Sequence, residues 1–171
     1  CLTVCGSKDN PVAGILSSFA VLKSGAGLCT AAVCPENRTL PVTVHPELMT
    51  VTYETPADLV PRIGEFDSLL AGPGMGDNAE TAAAVDMLVT QSEAPLVLDA
   101  DAINVLEPGK DLFEKIKKAN KPVVITPHPG EFSRLTGKSV KEIMKDRIGL
   151  SRQWARQNGI YIILKGHHTL I

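Results

Sequence analysis

The sequence predicts one α/β domain over residues 1–171, with a mostly parallel central sheet covered by helices on both faces. Short apolar runs alternate with segments of helical length along the chain, which is the pattern of right-handed strand-helix-strand units. Several of these runs break off into turns rich in glycine, proline or aspartate, as at Thr126–Glu131. In a parallel sheet such turns gather at one edge, where ligands bind. A chain of 171 residues, 44% of them hydrophobic, is also long enough for a substantial core.

The first half of the chain begins with a strand and a helix that the local pattern defines well. Ile15, Phe19 and Leu22 recur at helical spacing, and the glycines at 25 and 27 end that helix. The segment from 35 to 67 has a weaker pattern and is assigned loosely. The predicted elements are a strand at 2–5, a turn-rich loop at 6–11, a helix at 13–23, a strand at 28–33, a strand at 48–52 and a short helix at 57–63.

The second half repeats a strand followed by a polar turn. Asp77 with Glu80 forms a capping pattern, Ser139 with Glu142 forms a capping box, and Gly159 stops the last helix. Core residues expected on that last helix are Ile143, Ile148 and Trp154. The predicted elements are a strand at 68–71, a helix from 77 to 91, a strand at 95–98 with a turn at 99–104, a strand at 123–125, one helix from 139 to 159, a strand at 161–164 and a turn at 165–168 leading into 169–171.

Charge and hydropathy argue against two classes of partner. The formal net charge is -2, and no run of lysine or arginine provides a footprint for nucleic acid. No apolar stretch approaches membrane-spanning length, and the start does not resemble a signal peptide. We therefore expect neither a nucleic-acid nor a membrane partner.

The four cysteines, Cys1, Cys5, Cys29 and Cys34, all lie in the first 34 residues. Their spacing suits no common zinc pattern, and Cys5 and Cys29 lie in or beside apolar runs, where free cysteine behaves as a small hydrophobe. Buried, reduced thiols are the favoured interpretation, and a metal site or a disulfide is the alternative. Because disulfides are rare in the cytosol, reduced thiols favour a cytoplasmic location.

Two strand ends carry candidate ligand groups. The glycine loop at 72–76 precedes a helix, so its amides could cradle a phosphate or pyrophosphate. Asp77 stands where a dinucleotide fingerprint requires its third glycine, which excludes that fingerprint, and a tight turn without ligand is the alternative. Asp99 and Asp101 could bind Mg²⁺ or position a ligand hydroxyl, whereas Asp101 could equally serve as a helix cap.

The next two strand ends carry histidine, glutamate and lysine. His128 is bracketed by two prolines that restrict the backbone, so it could donate a hydrogen bond to substrate or transfer a proton. Glu131 falls in the first helical turn, where favourable interaction with the helix dipole is its structural alternative. Lys165, followed by a glycine, could present an ammonium and backbone amides to nucleotide phosphates. Metal binding by His167 and His168 is disfavoured, because neighbouring strand residues point to opposite sides.

Six segments taken in order resemble the ADP/ATP-dependent NAD(P)H-hydrate dehydratases, which have the ribokinase-like fold. They are GSKDNPVAG at 6–14, KSGAGL at 23–28, AGPGMG at 71–76, LDADAIN at 98–104, TPHPGEFSRL at 126–135 and LKGHHTLI at 164–171. The resemblance implies a three-layer fold and the repair of hydrated nicotinamide cofactors, NADHX or NADPHX. It also implies ADP or ATP as co-substrate, Mg²⁺ on its phosphates, a homo-oligomer, and an NAD(P)HX epimerase that is fused or separate.

The same resemblance implies roles for individual residues. Residues expected to contact the hydrated dinucleotide are Ala13, Gly76 and His128. Residues expected in the nucleotide-phosphate turn are Lys165, Gly166, His167, His168 and Thr169. Residues expected to line the same cleft are Gly74, Asp99, Asp101, Asn104 and Glu131. Val12 and Gly14 depart from the usual proline-glycine-alanine-alanine order around Ala13.

One family segment has no counterpart in the chain. The resemblance implies a downstream glycine-rich segment of the GMATGGxGD type, whose aspartate would be the general base, and no residue here matches it. The chain starts without methionine and starts and stops inside predicted strands, so we expect it to be incomplete at both ends and inactive as written, with no catalytic residue of its own. Alternatives are a vitamin-precursor kinase of the same fold, a noncatalytic nucleotide-binding fragment, and a metal-dependent hydrolase that uses His128 with Asp99 and Asp101.

Overall fold

A computed structural model describes all residues 1–171. Apolar triplets form three of the seven strands, and the turns after these three strands lead into helices. The strands are β1 Leu2–Val4, β2 Thr30–Val33, β3 Met49–Thr52, β4 Leu69–Ala71, β5 Leu96–Leu98, β6 Val123–Ile125 and β7 Tyr161–Ile162. The helices are α1 Pro11–Lys23, α2 Leu40–Val44, α3 Ala79–Gln91, α4 Asp101–Asn104, α5 Asp111–Lys118, α6 Pro129–Thr136, α7 Val140–Lys145 and α8 Arg147–Asn158, with 3₁₀ segments at Pro35–Asn37 and Pro56–Glu65.

All seven strands form one parallel sheet in the order β3-β2-β1-β4-β5-β6-β7. The middle strands are in register, so that Leu2 pairs with Leu69, Leu69 with Leu96, and Leu96 with Val123. These residues are almost completely buried and join the helices in one hydrophobic core. A parallel sheet buried on both faces needs such continuous apolar strands. The predicted α/β class is confirmed, and the carboxyl ends of the strands share one edge.

The first half agrees with the sequence-based assignment except at element boundaries and in one segment. Helix α1 begins at Pro11, whose missing N–H costs nothing at the first helical position, rather than at Ala13. Strand β2 begins at Thr30, two residues later than predicted. The short helix predicted at 57–63 is a 3₁₀ segment, because Pro61 inside it cannot donate a helical hydrogen bond.

The second half differs at two helix boundaries. Asn78 caps α3 by accepting from Thr81 N, so the predicted cap at Asp77 is off by one residue. The single helix predicted over 139–159 is two helices, because Asp146 ends α7 and caps α8 by accepting from Gly149 N. The Ser139 capping box and the left-handed stop at Gly159 are confirmed.

The break between α7 and α8 also decides which apolar residues reach the core. Ile143 and Trp154 are buried as expected, but Ile148 is 58% exposed, so its assignment to the core is wrong. Three short helices, α2, α4 and α5, were missed by the sequence pattern. No helix combines the length and apolar character needed to cross a membrane.

Candidate active site

The strand order creates a crevice at the carboxyl ends of β1 and β4. From β1 the chain builds β2 and β3 on one side of the sheet, then returns to build β4 to β7 on the other side. Ligands of open parallel sheets bind at such a switch point. Here the loop after β1 meets the glycine loop at 72–76, because Gly6 N donates to Pro73 O over 2.7 Å. The crevice is therefore lined by backbone from two of the predicted motifs.

Close backbone contacts shape the glycine loop and leave no room for side chains. Gly72 has a φ of +127°, and a Cβ there would overlap the carbonyl oxygen of Asp99. A Cβ on Gly74 would lie 2.6 Å from the Cβ of Ala13 on α1. Gly74 N–H donates to no protein atom, so it is free to bind a ligand. The structure thus brings the predicted residues Ala13 and Gly74 together at the switch point.

Asp101 ties the glycine loop to the end of β5. Its Oδ2 accepts from Gly76 N over 2.8 Å, and its Oδ1 accepts from Asn104 Nδ2 over 3.3 Å. Asn104 Oδ1 in turn accepts from the guanidinium of Arg134 on α6. Asp101 is not the cap of α4, because that position belongs to Ala100, which has a left-handed φ of 49°. This chain of hydrogen bonds fixes the position of Gly76.

Lys165 spans the edge from β7 across β6 to the end of β5. Its Nζ lies 2.6 Å from Asp99 Oδ1, and the two side chains are 40% and 29% exposed. The backbone is anchored to the end of β6, where Lys165 N donates to Pro127 O over 2.8 Å. An ion pair this exposed contributes at most about 1 kcal/mol to folding. The pair is therefore a weak contributor to stability, and the partly exposed ammonium is accessible at this edge.

His128 is the N-cap of α6. Its Nδ1 accepts from Gly130 N over 2.9 Å and from Glu131 N over 3.3 Å, while the Glu131 carboxylate accepts from His128 N over 2.7 Å. The amides of the helix hold the imidazole directly. Of the two prolines that flank His128, Pro129 occupies the first helical position. Because Nδ1 is an acceptor, the proton of the neutral ring is on Nε2. Nε2 lies 3.4 Å from Glu131 Oε1, and because the side chain is 52% exposed, Nε2–H is also accessible to a ligand.

Glu131 has the structural role that the first helical turn suggested. It is buried at 5% exposure, and it completes a capping box with His128. Its negative charge lies at the positive end of α6, where the helix dipole stabilises it. Glu131 consequently supports His128 and has little surface of its own to offer a substrate.

The turn at 165–169 presents a row of unpaired backbone amides. The N–H groups of Gly166, His167, His168 and Thr169 donate to no protein atom. The φ angles of +148° at Gly166 and +57° at His168 curl the chain, and Thr169 Oγ1 closes the turn by donating to Gly166 O. Successive free amides in a curled turn are the donor arrangement that binds phosphate oxygens. The predicted nucleotide-phosphate turn therefore has the donors that such a role requires.

Arg147 supports this turn from beneath and was missed by the sequence pattern. Its guanidinium donates to the carbonyl oxygens of Leu164, Lys165 and His167. Arg134 lies within the TPHPGEFSRL segment at 126–135, but no spacing in that segment indicates its contact with Asn104, which is 30 residues away. In both cases the arginine contacts a predicted site residue from a neighbouring helix.

The chain contains no group of three or more His, Cys, Asp and Glu side chains that could hold a metal ion. The rings of His167 and His168 do lie side by side, with centroids 4.0 Å apart, because they occupy a turn rather than a strand. His128, Asp99 and Asp101, the set required for a metal-dependent hydrolase, form no such group.

The burial predicted for Cys5 and Cys29 is confirmed, at 4% and 1% exposure. All four cysteines are free thiols. Burial raises the pKa of the Cys5 thiol to about 12, and a thiol that stays protonated is a poor nucleophile. The cysteine nearest the crevice is therefore a packing residue.

A large apolar cavity lies away from this edge. It has a volume of about 800 Å³ and runs between α8 and β7, with Ile148, Tyr161 and Ile163 among its apolar lining. The candidate site is instead a shallow polar edge in two parts. The crevice at β1 and β4 is separated from the turn after β7 by three strand spacings, roughly 15 Å. His128 and Asp99 lie between them, at the ends of β6 and β5.

Comparison with known proteins matches the whole chain to one family. The family model described as NAD(P)H-hydrate dehydratase matches residues 1–171. A bifunctional NAD(P)H-hydrate repair enzyme of Moorella thermoacetica is 36% identical over 180 residues, which cover 99% of this chain and 33% of that protein. The ADP-dependent (S)-NAD(P)H-hydrate dehydratase of Bacillus subtilis is 34% identical over 176 residues, covering 99% of this chain and 59% of that protein.

Solved structures agree with this assignment. The crystal structure of the ADP/ATP-dependent NAD(P)H-hydrate dehydratase from Bacillus subtilis, co-crystallised with ATP and Mg²⁺, superposes with a TM-score of 0.81 at 31% identity. A ribokinase-like superfamily protein from Enterococcus faecalis superposes with a TM-score of 0.79 at 26% identity. Each match covers 98% of this chain and under two thirds of the other, at 58% and 57%. The chain thus spans between a third and three fifths of the length of these relatives.

Proposed function

This chain belongs to the family of NAD(P)H-hydrate dehydratases, and from that membership we propose that it acts in the repair of damaged nicotinamide cofactors. The proposed reaction is dehydration of (6S)-NADHX or (6S)-NADPHX to NADH or NADPH, coupled to hydrolysis of ADP or ATP. One structural observation supports the proposal in addition to family membership. A single edge of the sheet holds both a glycine-lined crevice and a separate amide-rich turn, so that two phosphate-bearing molecules can bind side by side.

The crevice at β1 and β4 is the proposed site of the hydrated dinucleotide. Ala13, Gly74 and Gly76 supply a close backbone surface, and the free N–H of Gly74 supplies a donor. His128 contributes Nε2–H from the end of β6. Held in one tautomer by its cap bonds, this imidazole suits hydrogen bonding to a substrate oxygen better than proton shuttling.

The turn at 165–169 is the proposed site of the nucleotide phosphates. Its unpaired amides and the ammonium of Lys165 are donors to phosphate oxygens, and Lys165 leads from this turn toward the centre of the edge. The phosphoryl group would pass to the hydroxyl of the hydrated ring. The carbon-oxygen bond then breaks with phosphate as the leaving group, which leaves more readily than hydroxide. A proton is lost from the neighbouring ring carbon, and the double bond of the dihydropyridine is restored. Positioning and charge stabilisation are the protein's share of such a step.

None of this chain's carboxylates is proposed as the general base. Asp99 is paired with Lys165, and Asp101 accepts hydrogen bonds from Gly76 and Asn104. Glu131 is buried against the His128 amide. Since these three acidic groups already have structural partners, the chain's residues are proposed to bind and orient both substrates.

Mg²⁺ is proposed to accompany the nucleotide. The chain offers no cage of protein ligands, and Mg²⁺ commonly keeps its waters and binds phosphate oxygens with one or two carboxylates. Asp99, partly exposed at 29%, is the residue that would contact it. When bound, the ion would neutralise charge on the transferring phosphoryl group.

Three further features of the protein are proposed on the same membership. An NAD(P)HX epimerase, fused or separate, would supply the S epimer. A homo-oligomer is proposed from family membership alone. A cytoplasmic location is consistent with the free thiols and with cofactors that are used there.

The test is conversion of (6S)-NADHX to NADH by the protein expressed from its complete reading frame. We expect absorbance at 340 nm to rise only when ADP or ATP and Mg²⁺ are present. Lys165→Met should raise the nucleotide KM by tenfold or more, whereas Lys141→Met, an exposed lysine without a side-chain partner, should not. Phosphorylation of a hydroxymethylpyrimidine or thiazole alcohol, with NADHX left unchanged, would replace the proposal with the kinase alternative. Nucleotide binding without either reaction would favour a binding module.

A further inference from the structure

Arg147 makes an unusual set of contacts beneath the turn at 165–169. It is the first residue of α8, and its Nη1 donates to His167 O over 2.7 Å. Its Nη2 lies 3.3 Å from Leu164 O and 3.4 Å from Lys165 O. One guanidinium therefore binds three carbonyl oxygens from a stretch of only a few residues.

These contacts fix the backbone orientation of the turn. In a tight turn, carbonyl groups that are tied to one side leave the amides between them free to face the other side. The amides of Gly166, His167, His168 and Thr169 are the ones that donate to no protein atom. Arg147 holds the acceptors, and the donors remain for a ligand.

Packing explains why the turn contains glycine above this arginine. A Cβ on Gly166 would lie 2.9 Å from Arg147 Nη2, and the φ of Gly166 is +148°, which disfavours any side chain. Arg147 Nε is buried and has no acceptor. A buried donor without a partner costs free energy. The hydrogen bonds from the two Nη atoms to the turn offset that cost and hold the guanidinium in place.

The guanidinium also places a permanent positive charge under the amide row. Arginine stays protonated at physiological pH and presents donors in a fixed planar fork, whereas lysine offers a compact ammonium on a flexible stem. Lysine at this position would keep the charge but could not span carbonyl oxygens of three residues. The two contributions, charge and backbone positioning, can therefore be separated by substitution.

We propose that Arg147 is a positioning residue for nucleotide binding, which orders the turn at 165–169 so that its free amides receive the phosphates of ADP or ATP. The proposal rests on the proposed function of that turn. It assigns Arg147 no contact with the nucleotide or with the reacting atoms. Its effect is expected in nucleotide affinity and not in binding of the hydrated dinucleotide.

The experiment compares the protein from its complete reading frame with Arg147→Lys and Arg147→Gln. Calorimetry measures the Kd for ADP in the presence of Mg²⁺, and steady-state assays separate the KM for nucleotide from the KM for NADHX. We expect both variants to raise the Kd for ADP by tenfold or more, while the KM for NADHX changes less than twofold. The matched control is Arg152→Lys on the same helix, which is exposed and has no hydrogen-bond partner, and it should bind ADP like the wild type.

Three results would overturn the proposal. They are unchanged ADP affinity in Arg147→Lys, equal loss of affinity for both substrates, and absence of ADP binding by the wild-type protein. Thermal unfolding identifies a variant that fails to fold, and the other Arg147 variant then decides. Binding is measured without turnover, so a wild type that binds ADP but does not dehydrate NADHX would refute the proposed function alone. In that case a weakened Arg147→Lys would still support the positioning role.

Discussion

Neutralising Asp101 is the sharpest test of how the crevice is held together. Arg134 can only donate, so Asn104 must turn its Oδ1 toward the arginine and its Nδ2 toward Asp101. Asp101 consequently faces two donors, Asn104 Nδ2 and Gly76 N, and accepts from both. In Asp101→Asn the new amide has a single acceptor oxygen, so one of the two donors must face an NH₂ group.

The size of the effect follows from the bonds that are lost. A hydrogen bond to a charged acceptor contributes about 1.5–3 kcal/mol, and a partly buried donor left unpaired costs a similar amount. We therefore expect Asp101→Asn to lower the free energy of unfolding by about 2 kcal/mol. For a domain of this size that corresponds to a fall in Tm of about 4–8 °C. Displacement of Gly76 should also lower kcat/KM for the hydrated dinucleotide by about tenfold, equivalent to about 1.4 kcal/mol.

Thermal denaturation and NADHX kinetics on the same preparations measure both effects. The matched control is Asp77→Asn, which removes the same charge next to Gly76 from an exposed carboxylate without a hydrogen-bond partner. It should leave Tm and kcat/KM close to wild type. If the two variants were indistinguishable, the hydrogen-bond network would not position Gly76, and the reasoning would be wrong.

Two other substitutions test the neighbouring strand ends. Glu131→Gln should lower the free energy of unfolding by about 1–2 kcal/mol and weaken NADHX binding. The reason is that the buried carboxylate accepts from His128 N and lies at the positive end of α6. Urea denaturation should show a smaller change for Glu142→Gln, in the exposed capping box of α7. Gly72→Ala should cost more than about 3 kcal/mol, since strain at positive φ adds to overlap with the end of β5. Gly109→Ala, with a φ of +82° and open space around it, should cost only the strain, and equal losses in thermal melts would contradict the steric account.

The elements that could be predicted from the sequence are those with a strong local pattern of apolar and turn residues. Apolar triplets bounded by glycine or proline defined β4, β5 and β6, because a parallel strand buried on both faces leaves no polar position to blur the pattern. The break between α7 and α8 was missed, since Asp146 looks like any polar helix residue until it accepts from Gly149 N. Short helices such as α4 fall below the length at which helical periodicity can be detected.

The sequence predicted the functional groups of the candidate site but not the hydrogen bonds and ion pairs that join them. His128 and Lys165 stand out in the sequence because they follow apolar strands, and parallel topology alone brings them to one edge. Their partners, Glu131 and Asp99, were recognisable as acidic residues, yet the Lys165 bridge to Asp99 joins positions 66 residues apart. Local spacing cannot encode such a contact. Arg147 was invisible for the same reason, because its importance lies in three carbonyl oxygens and no side-chain motif marks a carbonyl.

The two sides of the sheet edge differ in charge, and this difference distinguishes the two binding regions. The crevice side presents two donors, the Gly74 amide and His128 Nε2–H, with the Asp101 carboxylate turned inward onto Gly76 N. The turn side presents a positive field from Lys165, with Arg147 beneath it. The reacting part of the nucleotide is its charged phosphates, whereas the reacting hydroxyl of a hydrated nicotinamide ring is neutral. The two reacting groups therefore match different sides, although the dinucleotide carries phosphates as well. Asp99 pairs with Lys165 at the boundary between the two sides, so an arriving phosphate must compete with that carboxylate for the Lys165 ammonium. Mg²⁺ is the partner that Asp99 could bind once the phosphate has displaced it.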